Sequence, residues 1–103
     1  MTNSTTFVSR DGAYYLVGAI DFDTSPALLL SSEVLFSKHA NQTLTLNFAE
    51  VASTTNSAAL AMIIEWLKLA VRYHITLKFV ALPAAVLSIA KVSGMIDLIQ
   101  DCL

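Results

Sequence analysis

The sequence predicts an α/β fold: a mixed sheet of about four strands with four helices, in the order β-β-α-β-α-β-α-α. Three observations predict it. Two strand-like runs flank an Asp-Gly pair, the strongest short-range signal of a tight hairpin. Beyond the hairpin, β-rich runs alternate with helical patterns, which makes at least part of the sheet parallel. The composition is 55% hydrophobic and only 14% charged, so a core is available and a disordered chain is excluded. At 103 residues the chain is read as one domain, residues 1–103.

Taken in order, Thr5–Ser9 and Ala13–Ile20 carry Val and aromatic residues around Asp11-Gly12 and form the hairpin. Asp21–Thr24 is a polar break. Ser25-Pro26 supplies a capping hydroxyl and a proline at the first helical position, and the helix runs to about Lys38 with Leu28, Leu35 and Phe36 on its apolar side. Leu44–Phe48 alternates at period two and reads as a strand. Ser53–Asn56 reads as a loop of small polar residues, followed by the strongest helix, Ser57 to Tyr73. Thr76–Ala81 is the next strand, and Pro83 opens a helix that stops near Ser93-Gly94, where glycine suits a left-handed cap. Met95–Cys102 reads as a short last helix.

The Ser57–Tyr73 helix has two apolar stripes. Leu60, Ile63, Ile64, Leu67 and Val71 share one, and this stripe is expected to face the sheet. Met62, Trp66, Leu69 and Tyr73 form a second, with Glu65, Lys68 and Arg72 in a narrow polar strip between them. Either a neighbouring helix covers the second stripe, or Met62 and Trp66 stay exposed until a partner docks. Mean hydropathy is +0.64, which fits a surface that a partner covers.

Several functions are disfavoured. Six basic against eight acidic residues give a net charge of −2, with no basic excess to neutralise phosphates, so nucleic acid is not an expected partner. His39, His74 and Cys102 lack the spacing of a metal site, and no nucleophile elbow or glycine-rich phosphate loop is present. No catalytic residue, metal or cofactor is expected. The apolar runs are too short to span a bilayer, and the N-terminus lacks the pattern of a signal peptide, so a cytoplasmic protein without direct membrane insertion is expected. The sequons at Asn3 and Asn41 are read as chance.

Ser57 stands at the junction of the polar loop and the long helix. Unpaired N–H groups and the positive dipole end lie there, so Asn56 or Ser57 can cap the helix, and a phosphate on Ser57 would be well placed electrostatically.

The segment Leu46–Leu67 resembles the signature of STAS domains, in which a strand runs into a loop with an Asp-Ser/Thr-x-Gly-Leu motif at a helix start. Asn56-Ser57-Ala58-Ala59-Leu60 lies on that motif, with Asn56 in place of the usual Asp and Ala59 in place of the usual Gly. Pro83…Gly94-Met95-Ile96-Asp97-Leu98-Ile99 resembles the family's closing helices. The resemblance covers nearly the whole chain and implies a STAS-like (SpoIIAA-like) fold. Leu60-Ala-Met-Ile-Ile-Glu-Trp-Leu67 is most similar to the MlaB branch.

What that resemblance implies is a non-enzymatic accessory subunit. It would bind and support the ATPase of an Mla-type phospholipid ABC transporter, in a complex with a permease, and so help to maintain outer-membrane lipid asymmetry. It would lie in the cytoplasm, peripheral on the inner membrane through its complex. The expected contact surface comprises Asn56, Ser57, Ala58, Ala59, Met62 and Trp66, with Asn56 and Ser57 at its rim. The alternative implied by the same family is an anti-sigma factor antagonist switched by phosphorylation of Ser57. The Asn56 and Ala59 departures weaken a phosphorylation switch more than a docking surface.

Overall fold

Asp11 and Gly12 both take positive φ, 52° and 81°, the conformation a two-residue turn of the primed type demands. They join strand β1 (Thr5–Arg10) antiparallel to β2 (Ala13–Ile20), with Arg10 opposite Ala13. The computed structural model describes residues 5–103, apart from the Ser53 side chain; the sequon residue Asn3 lies outside the described residues. The remaining elements are α1 (Ser25–Lys38), β3 (Thr43–Asn47), β4 (Val51–Thr54), α2 (Asn56–Tyr73), β5 (Thr76–Val80), α3 (Ala84–Val92) and α4 (Ile96–Ile99), closed by a 3-10 turn at Gln100–Cys102.

The sheet is mixed, as predicted, but has five strands. On one side β2 pairs antiparallel with β1. On its other side β3 pairs in parallel with Tyr14 and Tyr15, while β4 pairs in parallel with Gly18, Ala19 and Ile20. β5 adds parallel to β3. Strand β4 replaces the loop predicted at Ser53 and Thr54. Its four residues, Val-Ala-Ser-Thr, offer no apolar-polar alternation to read. It pairs with the far part of β2, because β3 reaches only Tyr14 and Tyr15 and the ladder groups beyond would otherwise stay unpaired. Gly18, at φ 119°, stands at a register shift within the β2–β4 pairing, between Gly18 and Ala19.

The core lies on one face of this sheet. Leu16, Ile20, Leu44, Leu46, Leu77 and Phe79 point into it at alternate strand positions, and their neighbours Thr76, Lys78 and Val80 are exposed. Leu28 and Phe36 of α1 and Val86 and Ala90 of α3 complete it. Ser25 does not cap α1 as expected. Thr24 is the capping position, and the Ser25 hydroxyl donates to the Asp21 carbonyl at 2.6 Å. The Asp21 carboxylate accepts from the N–H groups of Asp23 and Thr24, both at 2.9 Å, and so shapes the entry to the helix.

Helix α2 departs from the predicted assignment of its stripes: of the stripe expected to face the sheet, only Ile63 is fully buried. Met62, Trp66 and Leu69 are buried with Ala59, Ile63 and Ala70, whereas Val71 is 77% exposed. Leu60, Ile64 and Leu67 are half-buried. The Trp66 ring meets Phe48 at 5.8 Å and Phe79 at 6.2 Å between centroids, so the bulky stripe faces the sheet. The helix ends where His74 turns left-handed (φ 56°), with Ile75 N–H donating to the Ala70 carbonyl at 2.8 Å. Gly94 closes α3 in the same way, as its position predicted, with Met95 N–H on the Ala90 carbonyl. The predicted last helix divides into α4 and the 3-10 turn.

Candidate partner-docking site

The loops that precede α1 and α2 lie side by side. Thr55 N–H donates to the Ile20 carbonyl at 2.8 Å, which ties the β4–α2 junction to the end of β2, where the β2–α1 loop begins. The two helices therefore start next to each other. Between them runs a groove of about 490 Å³. Phe22, Pro26 and Leu29 line it from the α1 side, and Ala58, Ala61 and Met62 from α2, with Ser25 and Glu65 as polar lining.

Thr55, extended at φ −90° and ψ 117°, occupies the cap position of α2. Its carbonyl accepts from Ala59 N–H at 2.9 Å, but no side chain caps the helix. Neither Asn56 nor Ser57 is the predicted cap: both lie inside the first turn. The Asn56 side-chain oxygen instead accepts from the Thr54 hydroxyl at 3.2 Å. Asn56 is half-buried and Ser57 is exposed.

The six predicted contact residues divide by burial. Asn56 and Ser57 form the surface at the helix start. Ala58 and Met62 line the groove but are 1% and 3% exposed, so they form its floor. Ala59 and Trp66 lie in the core, at 1% and 0%. They are corrections to the predicted surface. Ala59, which stands at the motif position predicted to depart from Gly, packs in the core. Trp66 is reachable only by unfolding.

Sequence reasoning missed Phe22, Pro26, Leu29 and Ala61. Phe22 carries the clearest signal: it is a large aromatic flanked by two aspartates in a polar break, and it is 64% exposed. Ala61 carries no such signal, because alanine marks neither stripe of α2.

The chemistry available at this end is limited. His39 and His74 sit at the far ends of α1 and α2 from Ser57. His39 is held between the Tyr14 hydroxyl (3.3 Å) and the Leu35 carbonyl (2.8 Å). Among the described residues no three His, Cys, Asp or Glu side chains cluster to hold a metal, and no helix is long and apolar enough to cross a membrane. Charge is polarised along the helices. Asp21 and Asp23 flank the groove residue Phe22 in the sequence, while Lys38, Arg72 and Lys91 occupy the last turns of α1, α2 and α3. Those cations complement the carbonyl ends of the helices.

A family model described as "Mlab, STAS domain" matches residues 6–100, from the second residue of β1 into the closing turn. No curated protein matches the chain.

Proposed function

Because the chain belongs to the STAS-domain family, of the MlaB type, we propose that it is the accessory STAS subunit of an Mla-type phospholipid ABC transporter. In this reading it binds the transporter's ATPase in the cytoplasm and is held at the inner membrane only through the complex with the permease. It performs no chemistry itself and takes no cofactor; its work is to stabilise the ATPase assembly. The observation that carries the reading is the exposed apolar groove beside the motif, with Ser57 and Asn56 at the adjoining helix start. A large exposed aromatic beside a groove is the kind of anchor around which protein interfaces form.

A second reading, an anti-sigma factor antagonist, draws on one feature. The Ser57 side chain is exposed in the first turn of α2, where a phosphate would meet the positive end of the helix.

One experiment separates them: isolation of the tagged chain from its own cells, with bound proteins identified by mass spectrometry. Recovery of an ABC ATPase with its permease supports the transporter reading. Recovery of an anti-sigma kinase, with neither transporter subunit, overturns it in favour of the second.

A further inference from the structure

We propose that the α1/α2 groove receives an apolar segment of the ATPase flanked by lysine or arginine, with Phe22 as the hydrophobic anchor and Asp23 as the attracting charge. This rests on the transporter reading and names the partner chemistry that reading leaves open.

The first argument is shape. Phe22, Pro26 and Ala61 are exposed at the groove, whereas Ala58 and Met62 close its floor. A partner side chain entering between the helices therefore meets apolar atoms on three sides.

The second argument is charge complementarity. Arg10 pairs with Glu50 and Lys68 with Glu65, so these four side chains cancel. Of the remaining cations, Lys38, Arg72 and Lys91 lie in the last turns of α1, α2 and α3, and among the described residues no lysine or arginine lines the groove. Two of the six carboxylates outside these ion pairs, Asp21 and Asp23, flank Phe22 in the sequence. Asp21 is occupied in shaping the entry to α1. The exposed Asp23 side chain makes no ion pair or hydrogen bond among the described residues. An exposed carboxylate next to Phe22, beside an apolar groove that no cation lines, favours a cation-flanked apolar partner over an acidic one and makes association sensitive to salt.

The test uses the purified ATPase of the transporter and the full chain, with affinity measured by calorimetry at low and high salt. The variants are Asp23→Lys, Ala61→Arg and Phe22→Ser, each checked for an unchanged circular dichroism spectrum. Asp21 is left intact because it builds the helix start. The expected result is that wild-type binding weakens as salt rises and that each variant loses about tenfold or more in affinity, the scale of a lost interface anchor. Asp23→Lys should also lose the salt dependence. Wild-type binding with undiminished affinity in folded Ala61→Arg and Asp23→Lys overturns the groove assignment and leaves the transporter reading standing. An ATPase that does not bind the wild-type chain overturns both. A chain that is dimeric by sedimentation and becomes monomeric as Ala61→Arg overturns the proposal in favour of a self-interface.

Discussion

The Trp66 indole N–H donates to the Ser32 hydroxyl at 2.8 Å, and that hydroxyl donates onward to the Leu28 carbonyl at 2.7 Å. Both side chains are fully buried. One polar relay thus locks α2 against α1 inside an otherwise apolar core. It also fixes the spacing of the two helices whose first turns form the groove.

Ser32→Ala leaves the indole N–H buried without an acceptor. The expected loss is about 1–3 kcal/mol, the cost of an unpaired buried donor. Trp66→Phe removes that donor while Ser32 keeps its bond to Leu28, so its loss comes from lost volume alone. Urea unfolding followed by circular dichroism measures both. For Ser32→Ala, the fluorescence of the single tryptophan reports the changed site directly. A Ser32→Ala protein as stable as wild type would show that the relay contributes nothing.

Trp66→Ala and Ala61→Arg separate core from surface on one helix. Trp66 is 0% exposed among aromatic rings, and its truncation should cost about 3–5 kcal/mol, enough to unfold much of a small domain. Ala61 is exposed, and its arginine should change stability by no more than about 0.5 kcal/mol. Thermal unfolding of both variants checks this. Comparable destabilisation would put Ala61 in the core and remove the groove.

These contrasts show why part of the fold was legible in the sequence. Asp11-Gly12, Pro26 and Gly94 are local devices whose meaning does not depend on distant neighbours, and their hairpin, helix start and cap all form. Helix α2 was legible as a helix but not in its orientation. It packs against both the sheet and α1, so apolar residues occur on both flanks and periodicity alone does not choose between them. The choice is made by Phe48 and Phe79, which meet the Trp66 ring, and by Ser32, thirty-four positions away, which takes its N–H. The site was legible on its α2 side, at Asn56 and Ser57 on the surface and at Ala58 and Met62 in the groove floor. Its other wall, around Phe22, comes from a different loop that only the pairing of β2 with β4 brings alongside.

His74 ends α2 at φ 56° and ψ 47°, a left-handed conformation that a Cβ disfavours. His74→Gly should raise stability by about 0.5–1 kcal/mol, because relief of that strain exceeds the added freedom of the unfolded chain. His74→Val should lower it, since branching at Cβ adds crowding there. Chemical denaturation of the two variants decides it, and a destabilised His74→Gly would mean that the imidazole makes a contribution larger than the strain.

The Cys102 thiol is pushed up from its ordinary pKa by burial, with the Asp101 carboxylate adding to the effect and Lys78 opposing it. The folded chain then holds less thiolate than the unfolded chain at any pH near the thiol range. Alkylation by iodoacetamide should be slower in the native protein than in urea at pH 8, and should accelerate as pH rises. The linkage has the same sign: the native state retains the proton, so stability falls as pH climbs from the ordinary thiol value through the raised one. Equal native and denatured labelling rates would contradict the burial of the thiol.

Ser57→Glu and Ala58→Arg test the helix start at adjacent positions, and they should behave differently. Ser57 is exposed in the first turn of α2, so a carboxylate there meets the positive end of the helix dipole and should leave stability unchanged or raise it by about 0.3–1 kcal/mol. Its effect should appear in ATPase binding, because a new negative charge enters the proposed interface. Ala58 is 1% exposed, so an arginine must displace the helix or leave its charge in the groove. Lost binding by Ala58→Arg therefore reports damage to the fold as much as to the surface. Ser57→Glu does not carry that ambiguity. Melting temperature and ATPase affinity measured together resolve the pair: a stable Ser57→Glu chain with ATPase affinity changed in neither direction would exclude the Ser57 surface from the interface.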